Sequence, residues 1–517
     1  MTARLRPTWV PSQARAYRQS GGPWDVPTLD ALMSAHGGDI VDGDTRLSAA
    51  QVDALVAVVA GGLRARGAVK GAAVAWQVPN SLAAAVLARA CWRLGAVAAP
   101  ILHSFGAADV EGALAQIDPA LVLELGPDVI SDPVALADAV GGPPMPAGAG
   151  AGAGAGAAQP ADVALVLFTS GSTGVPKAVL HTHRGLSWKA SLMAQVHGLG
   201  SGDAVLMPAP MAHISGMLNG VLVPGAAGMR ATLMRRFDPD QALALVGRER
   251  ISFMAGPPTF FIAMATALGG SSGGGSSDGG TDVSSVRLIS SGGASVTPAF
   301  IEDTARTFDC RVKRTYGSTE APTVTTSTND DPFEMARDTD GRAVGHAELR
   351  ISHPETGAPL RRGSAGELWV RGPEMFAGYA DPTQTAAVIA RGGWFKTGDL
   401  ATVDRDGWLR IVGRLKDVII RGGENISASE VEAALEAHPD VRHAVAVGYP
   451  DPLMGERVAA FVESTAPFDL EECRRWFATR GIATFKTPEK VVRLERLPLL
   501  GSGKADRAAL GRQAAAT

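Results

Sequence analysis

A run of hydroxyls and glycines ends on a lysine: Thr169, Ser170, Gly171, Ser172, Thr173, Gly174, Val175, Pro176, Lys177. Glycines let a backbone turn so that successive N–H groups converge on an anion. Hydroxyls add donors, and the lysine adds a compact positive charge. The chemistry is that of a phosphate cradle, although the GxxxxGK[ST] spacing of a P-loop is absent. Further along, Tyr316, Gly317, Ser318, Thr319 and Glu320 join an aromatic able to stack on a base to a carboxylate able to ligate Mg²⁺. The stretch from Gly393 ends on Asp399, an aspartate after a glycine turn that can accept both hydroxyls of a ribose. Arg414, Lys416 and Asp417 precede Arg421, Gly422, Gly423, Glu424 and Asn425. Lys504 follows Leu500-Gly-Ser-Gly on a glycine-rich tip, which can travel because such a loop orders only when needed. Taken singly, Glu320 reads as readily as an exposed acid in a turn, and Lys504 as a solvated surface lysine.

These residues need elements to carry them. Ser48 and Gln51 form a capping-box signature ahead of the apolar spacing Val52, Leu55, Val56, Val59, Leu63. Residues 72–77 read as a buried strand, 81–94 as a helix and 96–101 as a strand. Alternation of this kind predicts α/β units with parallel sheets. Residues 164–168 form another apolar strand, which delivers the Ser/Gly loop. Near Arg414 the composition shifts. Ser427 and Glu430 cap a second helical pattern over 431–437, and 444–447 reads as a strand, enough for a small α+β unit. Two low-complexity stretches, 143–160 and 269–280, cannot bury enough apolar surface to offset chain entropy and read as surface loops.

Composition bounds the classes. The chain has 517 residues, 46% apolar and 19% charged, which excludes a disordered or collagenous chain. At roughly 150 residues per domain, about three or four structural units are expected. The net charge of −4 gives no basic excess for nucleic acid or an anionic membrane. Three dispersed cysteines, Cys91, Cys310 and Cys473, argue against a disulfide framework and suggest a reducing cytoplasm. No apolar stretch follows the first residues to make a signal peptide. The most apolar window, 82–101, is interrupted by Arg89 and Arg93 and predicts a buried helix running into a strand rather than a membrane span.

In this order and at these separations, the five motifs resemble the acyl-adenylate-forming superfamily of acyl-CoA synthetases, non-ribosomal adenylation domains and luciferases. The resemblance runs from about Thr45 to Arg507. It implies an α/β fold: a large N-terminal domain, residues 1–415, of stacked α/β subdomains (two sheets with helices plus a distorted β-barrel), and a small mobile α+β C-terminal domain, residues 416–517. It implies that Thr169 to Gly174 and Lys177 hold the β- and γ-phosphates of ATP. Gly292, Gly293, Ala294, Thr315, Gly317, Ser318, Thr319 and Ile411 would line the nucleotide, and Tyr316 would stack on its adenine. Glu320 would hold Mg²⁺. Asp399 would take the ribose with help from Arg414. Lys504 would reach the substrate carboxylate and the α-phosphate, with Glu320, Thr169 and His213 beside it as further catalytic residues. Lys416 would be the hinge, and Arg421, Gly422, Gly423 and Glu424 would face CoA.

The implied reaction is ATP-dependent activation of a carboxylic acid to an acyl-adenylate, then transfer to CoA. The acyl pocket would involve His213, Ile214, Gly216, Met217, Gly293 and Gly317. Amino-acid-activating relatives place an aspartate here to pair with the substrate ammonium. None occurs from Pro208 to Gly220, so an apolar acid is expected, medium-chain fatty, alicyclic or aromatic. Transfer to a carrier-protein phosphopantetheine and a catalytically silent binding protein are the alternatives. The expected partners are small molecules alone, without nucleic acid or integral membrane association, in a monomer or homodimer. Three departures stand out. Ala178 replaces a usual glycine and Ala212 a usual aromatic, both able to alter pocket shape. Gly71-Ala72 replaces a common Gly-Asp and reads as a surface change.

Overall fold

The computed structural model describes residues 5–146, 158–169, 176–270, 282–294, 296–421, 424–480, 482–500 and 504–516. The predicted loop residues Ser170, Gly171, Ser172, Thr173 and Gly174, the glycines Gly422 and Gly423, and most of both low-complexity stretches lie outside them.

The alternation read from the sequence forms as expected. The strand Ala73–Trp76 is buried along its whole length. The helix Leu82–Leu94 begins where the Ser81 side chain accepts from Ala84 N and ends on left-handed Gly95, after which the chain enters the strand Val97–Pro100. Ser48 and Gln51 form the reciprocal capping box at the start of the helix Ala49–Ala65. One prediction is corrected here. Gly71-Ala72 is not a surface feature, because Ala72 is fully buried beside this strand. An aspartate at 72 would need a buried partner, so alanine suits the position.

Two α/β sheets carry the larger part of the chain. In the five-stranded one, Val163–Thr169 and Lys177–Thr182 pair antiparallel, with Thr169 opposite Lys177. That register closes the base of the Ser/Gly loop. The nine-stranded sheet has a parallel centre. There Leu288–Gly292 runs beside Arg311–Tyr316 and sets Gly292 against Thr315. Burial along nearly its whole length makes Val163–Thr169 a continuous apolar run, which is why it was visible in the sequence, whereas Leu288–Gly292 and Arg311–Tyr316 carry polar residues and were not.

The third sheet is antiparallel and five-stranded, within residues 348–414. Its register shifts at Glu367/Trp369 and at Leu400/Ala401, and it aligns Asp399 with Arg414. A fourth sheet, within residues 418–493, packs against the helices Ala428–Glu436, Leu470–Thr479 and Arg507–Ala516. Its apolar residues form clusters of their own, around Ile419, Val431 and Phe477 on one face and Val445, Phe461 and Leu510 on the other. The predicted strand 444–447 is the middle of a longer one, Val441–Asp451. Among the described residues, no helix is long and apolar enough to cross a membrane.

Candidate active site

Most of the motif side chains with described placement converge where the ends of these sheets meet. Tyr316 closes the strand Arg311–Tyr316, and its hydroxyl donates to Asp399 Oδ2 at 2.6 Å. Arg414 Nε lies 2.9 Å from Asp399 Oδ1. Both carboxylate oxygens of Asp399 therefore have a partner, and each keeps a lone pair for a ligand hydroxyl. Burial, then the Asp399 charge, holds the Tyr316 hydroxyl well above its ordinary pKa, so the phenol remains the donor. Thr397 Oγ1 donates to Leu368 O at 2.7 Å and accepts from Asp399 N at 3.0 Å, fixing the backbone under the aspartate.

The chain between Tyr316 and Thr323 turns tightly. Ser318 N donates to Ala321 O at 3.0 Å. A methyl on Gly317 would stand 2.3 Å from Thr323 N, and one on Gly292 would stand 2.2 Å from Thr315 O. Only glycine permits these backbone approaches. Glu320 lies in this turn, half-buried, and its Oε1 accepts from the Tyr379 hydroxyl at 2.8 Å. Lys177 Nζ lies over the Tyr379 ring, 5.2 Å from its centroid. Tyr379 thus links the lysine after the Ser/Gly loop to the motif carboxylate.

Lys504 arrives from the other side. Leu499 and Ala505 pair as a bridge, and Leu500 N donates to Lys504 O at 2.7 Å, so the lysine sits on a hairpin tip. Its Cε lies 3.9 Å from where a methyl on Gly293 would be. The residue is exposed, yet enough protein surrounds the ammonium to lower its pKa. Burial is the main cause, and the Arg414 and Lys416 charges add to it while Asp399 and Glu320 oppose. His213 feels the same lysine. Burial first, then Lys504 and His103, push its imidazole down to about 4, so it is neutral at pH 7. Its Nε2 is buried with no hydrogen-bond partner among the described residues.

The remaining expectations divide. Thr169 is half-buried at the end of its strand, and Gly293 and Ala294 are exposed. Lys416 is exposed in the short turn Leu415–Asp417. Ile214 is half-buried, whereas Met217 is fully buried in the core. Gly216 is packed so that a methyl would stand 2.1 Å from Pro210 O. Ile411 offers its backbone N–H to Asp340 Oδ2 at 2.8 Å. Arg421 is held by Glu489, which also accepts from Val458 N at 3.0 Å, and Glu424 pairs with Arg421 across a hairpin. Burial pushes the thiols of Cys91, Cys310 and Cys473 up, away from nucleophilic use.

Tyr379, Asp340 and His103 were missed. Tyr379 is one of only four tyrosines and precedes an Asp-Pro helix start, the one cue the sequence offered. Asp340 and His103 carried no local pattern.

The arrangement is a cleft where Lys504, Arg414 and Lys416 face Asp399 and Glu320, with an aromatic and a neutral imidazole at its edges. Fold and site together define an enzyme that activates an acid with a nucleotide. The comparisons agree. The AMP-binding enzyme description matches residues 30–380, and the AMP-binding enzyme C-terminal domain matches residues 430–504. The medium-chain fatty-acid–CoA ligase of Escherichia coli (strain K12) is 30% identical, over 96% of this chain and 92% of its own length. A feruloyl-CoA synthase of Amycolatopsis sp. is 33% identical, over 94% and 97%. ATP-bound MatB from Rhodopseudomonas palustris superposes with a TM-score of 0.82 at 25% identity, covering 94% of this chain and 99% of that one. The chain belongs to the AMP-binding enzyme family, in the acyl-CoA synthetase branch of the acyl-adenylate-forming superfamily.

Proposed function

We propose that the protein joins an apolar carboxylic acid to CoA in two steps within this cleft. In the first, the carboxylate oxygen attacks the α-phosphorus of ATP, and pyrophosphate leaves to give the acyl-adenylate. In the second, the thiol sulfur of CoA attacks the acyl carbon and AMP leaves, giving the thioester. A carboxylate is a poor electrophile because its charge repels nucleophiles, and adenylation removes that charge. The observation that carries the reading is the position of Lys504. Its ammonium shares the cleft with Asp399 and Glu320, and its Cε lies beside Gly293. Negative charge builds on the α-phosphate oxygens and the leaving pyrophosphate, and a fixed ammonium beside them opposes it.

Asp399 and Tyr316 take the ribose and adenine in this reading, and Lys177 takes the terminal phosphates with the loop that begins at Thr169. Glu320 suits a hard cation. It supplies oxygen ligands, and one of its oxygens is oriented by Tyr379. It would hold Mg²⁺, which, when bound, neutralises phosphate charge. His213 and Gly293 border the acid, and a neutral imidazole there suits an acyl group without a second charge. Residues 1–415 form the activating domain and 416–517 the mobile one, turning about Lys416 between the steps. Arg421 and Glu424 lie on the CoA side of that motion.

The test is pyrophosphate release with ATP, Mg²⁺ and a panel of medium-chain, alicyclic and aromatic acids, with and without CoA. Sustained release that needs both one acid and CoA is expected. Release that needs the acid but ignores CoA would replace CoA with a carrier-bound thiol. No acid-dependent release, with ATP still bound, would overturn the catalytic reading.

A further inference from the structure

Residues 374–380 connect two parts of the cleft that are far apart in the chain. On one side, Ala377 N donates to Leu180 O at 2.7 Å, Leu180 N to Gly378 O at 2.9 Å, and Ala380 N to Ala178 O at 2.9 Å. These bonds lock the segment to the strand Lys177–Thr182. On the other side, Phe376 N donates to Glu320 O at 2.8 Å. The turn that carries Glu320 is held at its far end too. Fully buried Lys189 donates to Thr323 O at 2.9 Å, and its ammonium lies 3.4 Å from Glu374 Oε1. Thr323 has φ +40°, costly for a β-branched residue and sustained only where the surroundings impose it.

At the centre stands Tyr379, 3% exposed. Its ring packs edge-on to Phe376 at 5.1 Å, lies under Lys177 Nζ, and puts its hydroxyl on Glu320 Oε1. Between a phenol hydroxyl and a carboxylate oxygen the hydroxyl is the donor, so this bond runs from Tyr379 to Glu320.

We infer that Tyr379 is a positioning residue that sets Lys177 through its ring and Glu320 through its hydroxyl, so that the phosphate-side cation and the metal-side carboxylate share one joint. The inference rests on the proposed use of Glu320 for Mg²⁺ and of Lys177 for the ATP phosphates. The two contacts are chemically separable. Tyr379→Phe keeps the ring under Lys177 and removes the donor. Tyr379→Leu removes both.

The experiment measures ATP binding by calorimetry, in EDTA and across a Mg²⁺ titration, together with acid-dependent pyrophosphate exchange. Loss of a partner that orients a metal ligand typically weakens metal binding by about 10–100-fold. Tyr379→Phe is expected to raise the Mg²⁺ half-saturation about 10-fold while the KM for the acid and ATP binding in EDTA stay within about 2-fold of the parent. Tyr379→Leu, or Tyr379→Met if the leucine variant does not fold, is expected to weaken ATP binding in EDTA as well. Glu320→Gln calibrates the metal arm. If Glu320→Gln raises the Mg²⁺ requirement and Tyr379→Phe does not, the hydroxyl's role is overturned. If Glu320→Gln changes nothing, the metal assignment fails and takes the hydroxyl's role with it. The ring's role is judged separately, and it falls if the leucine and methionine variants bind ATP in EDTA as the phenylalanine variant does. Loss of the acid KM and ATP affinity together in Tyr379→Phe would mark a merely structural tyrosine.

Discussion

Lys504 enters the cleft on a tip that has no other evident task, so removing its ammonium should remove one half-reaction and leave the other. Lys504→Ala is expected to cut acid-dependent ATP–pyrophosphate exchange on the order of 10²–10³-fold. It should still convert supplied acyl-adenylate and CoA to thioester, and equal loss of both steps would refute the role. Gly317 gives a different kind of test. A methyl there meets the Thr323 backbone at 2.3 Å, and a backbone cannot yield as a flexible side chain can. Gly317→Ala should cost about 1–3 kcal/mol and weaken ATP binding, because the turn carrying Glu320 must shift. Gly200→Ala, where nothing lies within 4 Å, should cost less than about 0.5 kcal/mol, as read by thermal melts. At this scale the sequence was informative wherever glycine, hydroxyl and charge cluster, because backbone approach and phosphate chemistry demand those types together. Tyr379 escaped because a single buried tyrosine has no pattern, and its partner Glu320 lies 59 positions away.

Elements were legible in proportion to how completely they are buried. Val163–Thr169 and Ala73–Trp76 announce themselves as apolar runs, and Ser48 and Ser81 mark helix starts through the hydrogen bonds that a short polar side chain accepts from the first turn. The antiparallel sheet within residues 348–414 left no such trace, since its longest strand, Trp394–Val403, alternates between buried and partly buried positions and the sheet shifts register twice. The helix Ala428–Glu436 was foreseen, but the chemistry of its last residue was not. Glu436 is half-buried, and its Oε1 accepts from Ala444 N at 3.1 Å. Burial, then the nearby Glu432 charge, raises its pKa to about 8 against 4.5 for the free side chain. Between these values the folded protein holds a proton that the unfolded chain has lost. The stability this group contributes is therefore complete below about 4.5 and is lost as pH rises through about 8. Glu436→Gln, uncharged throughout and still able to accept from Ala444, should gain on the parent across that window by on the order of 1 kcal/mol per pH unit, then level off. Denaturant melts at pH 5, 6.5 and 8 read the difference, and a constant gap would show that Glu436 is ionised in the folded state.

Over the whole molecule, the cleft exists only because the unit that carries Lys504 packs against the part that carries Asp399 and Glu320. No spacing in the sequence specifies that contact, since it depends on how two separately cored parts meet. The connection between them is short and watched from both sides. Ser427 Oγ donates to Val412 O at 2.6 Å across the turn Leu415–Asp417, and Arg507, three residues after Lys504, lies 4.0 Å from Asp417 and 2.6 Å from buried Glu432. Arg414 precedes this turn and Lys416 lies within it, both with exposed side chains, which makes it a substrate for trypsin whenever it opens. Arg414 is also tied to Asp399, the proposed ribose carboxylate. Ligand that fills the cleft should therefore hold the turn closed, because it binds the closed arrangement better than any open one. Cleavage after Arg414 or Lys416 is expected to slow several-fold with ATP and a non-reacting acid analogue, and to quicken in Ser427→Ala, which loses the bond to Val412. Mass spectrometry of the fragments identifies the cut. A rate at these two bonds that is indifferent both to nucleotide and to Ser427 would mean that the junction does not move with the cleft, and the proposed rotation about Lys416 would have to be abandoned.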